Sequence, residues 1–349
     1  MKLSDVVNRI NGNVDRFTTD LEYYVGGEHF DSNELAVTRK GMLKENLNVL
    51  GFKFHFAFQK RDVLFMARNP HLRKAGMVMF DGLCSDATYI LRSKDENVLL
   101  QEYLALQLQS DHFWNYCESH KVGSVNFANN WTSIANYEFD LPSIEEQKVL
   151  ADKLWAAYKV KESYRQLLST TDEMLKAKFQ EMFGDGKWEQ KKWSDVLSVL
   201  NGKAYPAEYQ ESGTYPIYGS GGIMAYGEKK LCEGNTIIIG RKGNINNPIF
   251  VKDPYWAVDT AFSISVKPEF LVPIYMYFWC KNFDFNVYNK QGVLPSLTKS
   301  DLENIIMGIP PIDMQKEFAS IYIQAEATKA SLRASIEAID RVIRSLINQ

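Results

Sequence analysis

The sequence predicts an α+β chain: two mixed α/β globular units, each followed by a long helix, with the two helices paired as an antiparallel coiled coil. Three observations predict it. Residues 141–183 open Leu-Pro-Ser-Ile-Glu-Glu-Gln-Lys and then run to Phe183 with no further Pro and no Gly. The same pattern returns 168 residues later as Ile309-Pro310-Pro311-Ile312-Asp313-Met314-Gln315-Lys316. Stretches between them recur as well, and a repeat of this kind is read before anything else.

In chain order, residues 1–143 form the first globular unit. The apolar or alternating runs 52–58, 63–66, 77–80 and 88–91 read as strands. Residues 99–117 read as one helix, with Leu100, Leu104, Leu108 and Phe113 on its apolar face. Residues 144–184 are the first long helix. Leu154, Leu168, Leu175 and Met182 fall at sevenfold spacing, with Tyr164, Thr171 and Lys178 on the alternate seam position. Pro142 and Ser143 ahead of Glu145 and Glu146 suit a helix start, because Pro fits the first turn and acids suit the positive end. At ~1.5 Å per residue this helix is roughly 60 Å long, more than one core can cover, so it needs a partner helix. Gly184 and Gly186 stop it.

Residues 185–310 form the second unit. Runs 236–239, 248–251 and 261–266 read as strands, 273–283 as a helix, and Tyr215-Pro216-Ile217-Tyr218-Gly219-Ser220-Gly221-Gly222 as a turn. Residues 311–349 are the second long helix. Its seam alternates steps of three and four through Ala325, Leu332, Ile336, Ile339, Ile343 and Leu346. The repeat offset falls from 190 (Ser4-Asp5-Val6 onto Ser194-Asp195-Val196) to 173 (Leu64 to Arg68 onto Ile237 to Arg241), and then to 168. The second copy is therefore shorter, mainly in its first part. Two heads on an antiparallel pair of such helices would stand at the ends of a stiff rod, whose ~60 Å equals about 17 base pairs of DNA.

A chain of 349 residues, 45% hydrophobic and 13% aromatic, suffices for two cores. A net charge of −3 gives no basic signature, so any nucleic-acid site must be a local patch. Cys84, Cys117, Cys232 and Cys280 are scattered, with no Cys-x-x-Cys, and read as buried thiols in a reducing compartment. There is no signal-peptide pattern and no apolar run near 18 residues, so the expectation is a cytoplasmic chain without a membrane partner.

Gly240-Arg241-Lys242-Gly243-Asn244-Ile245-Asn246-Asn247 is the most informative loop. A buried strand ends at Gly and then presents Arg241 and Lys242, which can pair with guanine edges or phosphates, and Asn244 and Asn246, which can read adenine. The plain alternative is a solvated turn, which Gly and Asn also favour. The first unit carries Arg68, Arg73 and Lys74 at the same place in the repeat, and two basic loops at one position strengthen both. Arg39, Lys40, Lys203, Tyr218, Ser220, Lys290 and Lys299 are weaker candidates for DNA contact; each basic one taken singly reads more simply as a solvated charge. Lys299 follows Thr298 at a candidate helix start.

No enzyme motif passes a test. Gly219-Ser220-Gly221-Gly222 is neither a dinucleotide fingerprint nor a phosphate loop. Asn247-Pro248-Ile249-Phe250 and Asp253-Pro254-Tyr255-Trp256 lack the second Pro of an amino-methyltransferase motif. The five histidines all lie in the first copy, with no pair at metal-binding spacing, and His55 reads as structural. The profile is that of a binding or spacing device.

Leu-Pro-x-Ile-x-x-Gln-Lys leading into a helix that ends Phe-Gly, used twice, resembles the specificity subunit of type I restriction–modification enzymes. Residues 215–222, Ile239-Gly240-Arg241-Lys242-Gly243 and Val258-Asp259-Thr260-Ala261-Phe262 are similar to a target-recognition domain of that family. In the first unit Ala67-Arg68-Asn69-Pro70 departs from the Gly-Arg-Lys-Gly pattern. The resemblance implies two target-recognition domains, each reading half of a bipartite double-stranded DNA site. It implies that the helices space them and dock two modification (methyltransferase) subunits, and that restriction subunits join. S-adenosylmethionine, ATP and Mg would then sit on those partners, with no cofactor and no catalysis in this chain. The competing readings are a specificity module of a related non-type-I modification system and a two-headed coiled-coil scaffold that binds protein.

Overall fold

The computed structural model describes residues 1–125, 127–184, 186–288 and 295–348. They form two compact units, one of Met1–Gln166 with Leu332–Gln349 and one of Leu167–Ser331. Each is mixed α/β, as the sequence predicts.

Unit 1 carries strands β1 (Val7–Ile10), β2 (Tyr23–Val25), β3 (Ala36–Val37), β4 (Gly41–Met42), β5 (Phe54–Phe58), β6 (Val63–Met66), β7 (Ala75–Val78), β8 (Gly82–Ser85) and β9 (Thr88–Ser93). Among the described residues they make two sheets, ordered β1-β9-β6-β7-β3 and β4-β2-β8-β5. Side chains alternate across a strand. On β6, Val63 and Phe65 enter the larger core with Phe113, Trp114 and Leu154, while Leu64 enters a second one with Val25, Phe58 and Ile90. Both faces of this strand are covered, which is why it reads as an unbroken apolar run.

Unit 2 carries β10 (Glu189–Lys192), β11 (Leu197–Asn201), β12 (Tyr215–Gly219), β13 (Gly222–Gly227), β14 (Thr236–Gly240), β15 (Ile249–Val251), β16 (Trp256–Ala257), β17 (Ala261–Val266) and β18 (Ile306–Ile309). Their sheets run β11-β17-β14-β15, β13-β12-β16 and β10-β18 among the described residues. The offset of 173 places β6 on β14, β7 on β15 and β9 on β17, with the same alternation: Ile237 and Ile239 face one core, Ile238 another. Likewise β2 pairs parallel to β8 (Tyr24 opposite Leu83), as β12 does to β16 (Ile217 opposite Trp256). The copies differ between the next two strands. Unit 1 places residues 26–40 between β2 and β4, including β3, which adds parallel to β7; unit 2 has only Ser220 and Gly221 between β12 and β13. Most of the shortening lies there.

Two sequence expectations are corrected. Residues 99–117 are two helices, Gln101–Gln107 and Asp111–Ser119. The Ser110 hydroxyl caps the second by accepting from the Phe113 N–H, and Gln109 turns inward to donate to the Glu34 and Ala75 carbonyls. Residues 215–222 are not a turn alone: Tyr215–Gly219 is strand β12, hairpin-paired with β13.

The long helices are Ile144–Phe183 and Ile312–Ile347. Ser143 and Glu146 form a reciprocal cap at the first, the carboxylate accepting from the Ser143 N–H at 2.9 Å. The recurring Gln is explained by what it holds. Gln147 Nε2 donates to the Val98 and Pro142 carbonyls, and its Oε1 accepts from the Leu100 N–H. Gln315 repeats the set with Phe270, Pro310 and Val272. Both side chains are fully buried, so each motif pins its helix to the globular part beside it.

Within each unit the two helices run antiparallel. In unit 1 Lys161 meets Asp340, and Leu346 lies beside Val149 and Leu150. In unit 2 Asp172 meets Lys329, and Phe183 meets Phe318. The predicted seam is inward: Leu154, Thr171, Leu175, Ala325, Leu332 and Ile343 are buried. The sevenfold series skips position 161, where buried Lys161 binds Glu34 and Asp340, each at 2.7 Å.

Candidate nucleic-acid interface

In unit 2 the basic loop is a clamped structure. Strand β14 is buried throughout and ends at Gly240. A Cβ there would collide with the Asn244 carbonyl and stand 3.1 Å from the Ser220 Cβ, so only glycine lets the loop fold back against the β12–β13 tip. The Arg241 N–H donates to the Thr260 carbonyl at 2.8 Å, and the Arg241 carbonyl accepts from the Leu297 N–H at 3.0 Å. The Gly243 N–H donates to the Pro295 carbonyl at 2.9 Å, and Ile245 is buried. This fixed backbone leaves the Arg241 side chain half-buried and those of Lys242 and Asn244 exposed.

Asn246 has a different duty. Its amide donates to Asp284 and accepts from the Phe285 N–H, both at 2.7 Å. The Asn286 N–H and the Asn246 amide hold the Asp284 carboxyl below the usual carboxylate range. Ser220 sits beside the loop. Tyr218 is half-buried, edge-on to Tyr255, with burial pushing its hydroxyl up. Its carbonyl accepts from the Val258 N–H, while the Lys203 N–H donates to Ala257, so Lys203 and Tyr218 share one support. Lys299 stands in the short helix Lys299–Glu303, capped by Thr298 and paired to Glu303 at 3.4 Å. Lys290 lies outside the described residues.

Unit 1 repeats the clamp with other side chains. The Asn69 N–H donates to the Phe127 carbonyl and the Asn129 N–H to Ala67, each at 2.8 Å, and Arg68 bridges to Ala128. Asn69 and Arg73 both take left-handed backbone. Arg73 pairs with Asp111, and the Lys74 ammonium donates to the Gly27 carbonyl at 2.7 Å, which leaves Arg68 exposed. Arg39 and Lys40 lie between β3 and β4. Arg39 pairs with Asp31 at 2.8 Å, and the Lys40 ammonium sits 3.3 Å from the Tyr23 ring centre.

Sequence reasoning missed the second wall of each clamp. In unit 1 it is the backbone pair Val122 and Ala128, which bond each other in both directions, with Val125 84% exposed. In unit 2 it is the run from Pro295 to Leu297. Both lead into a capped short helix, at Asn130 and Thr298, and that 168-residue correspondence was the available signal. Among the described residues no group of three or more His, Cys, Asp or Glu side chains is placed to hold a metal, and no helix is long and apolar enough to cross a membrane. All four cysteines are buried and unbridged.

A family model described as the type I restriction modification DNA specificity domain matches residues 1–168 and 185–341. The EcoprrI specificity subunit of a type I restriction enzyme from Escherichia coli is 26% identical over 178 residues, 49% of this chain and 42% of that protein. The match thus spans about two fifths of that relative's length. The crystal structure of a type I restriction–modification S subunit from M. genitalium superposes with a TM-score of 0.66 at 12% identity, over 99% of this chain and 94% of that one. A structure titled for complex assembly and conformational transition of the type I R-M system gives 0.56 at 16% identity, over 99% and 95%. At these identities the likeness to the solved structures is one of fold.

Proposed function

Because the chain belongs to the type I restriction–modification DNA specificity family, we propose that each unit reads one half of a bipartite, asymmetric double-stranded DNA site. The observation that carries this is the clamp built twice: a basic loop held by backbone bonds in both units, Arg241–Lys242 in one and Arg68 in the other. Rigid backbone with projecting cationic side chains suits contact with phosphates and base edges, and unlike side chains on like frames suit unlike half-sites. Arg241, Lys242, Asn244 and Ser220 are the contact set of unit 2, with Lys203 and Lys299 flanking. Arg68 leads that of unit 1.

The two long helices space the units and dock two modification subunits, to which restriction subunits add. Those partners carry S-adenosylmethionine, ATP and Mg; this chain carries recognition alone and acts in the cytoplasm. Single-molecule sequencing for methylated adenine tests the reading, in cells with the neighbouring methyltransferase and with or without this chain. A bipartite methylated motif that vanishes without the chain is expected. An active methyltransferase with no such motif favours instead a scaffold that binds protein, which the net charge of −3 fits. Salt-dependent DNA binding by the purified chain argues against that scaffold.

A further inference from the structure

The hairpin beside the basic loop of unit 2 carries an apolar side chain that the fold does not use. Strands β12 and β13 pair in register from Tyr215 opposite Gly227 to Ile217 opposite Ala225, and then Tyr218 opposes Ile223. Met224 is thus the extra residue of a β-bulge, a device that re-aims a side chain and recurs next to functional sites. Met224 is 56% exposed and joins no hydrophobic core among the described residues.

Its neighbours place it at the clamp. A Cβ on Gly219 would stand 3.3 Å from the Met224 sulfur and 3.5 Å from the Thr260 hydroxyl, so the two border one spot that glycine leaves free. The Thr260 carbonyl accepts from the Arg241 N–H. The thioether therefore stands on the rim that presents Arg241 and Lys242. Gly222 and Gly243 flank the two, both with positive φ and with nothing within 4 Å of where a Cβ would lie, so the rim is open to a ligand.

The repeat gives this position another chemistry. Gly41 opposes Tyr24 in unit 1 as Ala225 opposes Ile217 in unit 2. The residue before it is Lys40 in one unit and Met224 in the other.

We propose that Met224 reads a thymine in the half-site of unit 2 by contact with its C5-methyl group. That methyl is the apolar feature of the major groove, and an apolar side chain beside it selects T over C. A lysine at the same place favours guanine, so the exchange of Lys for Met changes which base pair the frame accepts. The thioether is flexible and polarisable, which suits contact with a methyl group at the end of a rigid hairpin. The inference deepens the DNA reading proposed above and rests on it.

The probe is the motif found by methylated-adenine sequencing, made as a fluorescein-labelled duplex. It is titrated by anisotropy with the chain assembled with its methyltransferase. Each thymine of the motif is replaced in turn by uracil, which keeps the pairing and lacks the methyl. Affinity should fall about fourfold at one position, the share of one buried methyl group. Met224→Ala should bind the thymine and uracil duplexes equally there, while Met224→Leu, still apolar, should keep the preference. Lys242→Ala should weaken both duplexes and leave their ratio. The uracil series uses the unaltered chain and so does not depend on a variant's folding. Motif-specific binding with no uracil penalty at any position overturns this inference alone, as does a penalty that a folded Met224→Ala chain keeps everywhere. Absence of motif-specific binding overturns it together with the reading beneath it. Loss of the methyltransferase from Met224→Ala would assign the side chain to a protein contact and equally overturn it.

Discussion

Lys161 Nζ lies 2.7 Å from the Asp340 carboxylate, and the two counterparts 168 residues away make the same pair, Lys329 to Asp172 at 2.6 Å. One helix position supplies the cation in both units and another the anion, with the roles of the two helices exchanged. The pairs differ in their third member, Glu34 in unit 1 and Glu326 in unit 2.

That difference ranks two substitutions. Lys161 is 2% exposed, so Lys161→Met leaves Asp340 without its ammonium and Glu34 with Arg165 as its remaining cation, and should cost about 2 kcal/mol in urea denaturation. Lys329→Met leaves Asp172 and Glu326 half in water and should cost about 1 kcal/mol. Equal costs would refute the ranking.

Gln147→Ala and Gln315→Ala each remove three hydrogen bonds and leave two part-buried or buried carbonyls and a part-buried N–H without that partner. Each should cost about 2 kcal/mol. The local signature is faster exchange of the Leu100 amide in the first variant and of the Val272 amide in the second.

Arg241→Ala and Lys242→Ala should weaken DNA binding and relax selection at one half-site only. About 1–3 kcal/mol is expected where the lost contact is to a base, and a salt slope lower by about one where it is to a phosphate. Co-purification with the modification subunits should be unchanged; its loss would overturn the division between reading loops and docking helices.

Leu168→Pro should do the reverse. It removes a helix hydrogen bond and clashes with the preceding turn, at about 3 kcal/mol or more. Lower helical circular dichroism and loss of partner co-purification are the expected readouts.

Asp284 sets a pH dependence for the Asn246 anchor. Its folded carboxyl is depressed, so the stabilisation is present above the ordinary carboxyl value of about 4 and is lost as pH falls through the depressed value. The Asn246 side-chain amide resonance should therefore shift in acid below about pH 4, and Asp284→Asn should remove that step.

Much of this architecture was legible because periodicity and repetition are local signals. Strands β6, β14 and β17, both long helices and the seam positions follow from runs of like residues. The break at Leu108 to Ser110 was hidden because leucine spacing continues across it, while the cause, Gln109 reaching Glu34, is distant in sequence. Lys161 broke the seam and carried no local hint of its two carboxylates. In the binding loops the residue types were readable, but not their duties: Asn244 and Asn246 look alike in sequence, and only Asp284 and Phe285 hold Asn246 inward.

The make-up of unit 1 has a consequence for biosynthesis. Its core includes Ile343, with Ile339 and Leu346 against it, and its segment Leu332–Gln349 is translated after all of unit 2. Unit 2 is a continuous stretch and can close on its own as it leaves the ribosome. Unit 1 must wait, with the flank of Leu154 and Tyr158 uncovered, until that late segment arrives. Of the two units, the one begun earlier is thus finished later, and its exposed flank is the surface that chaperones would need to shield meanwhile.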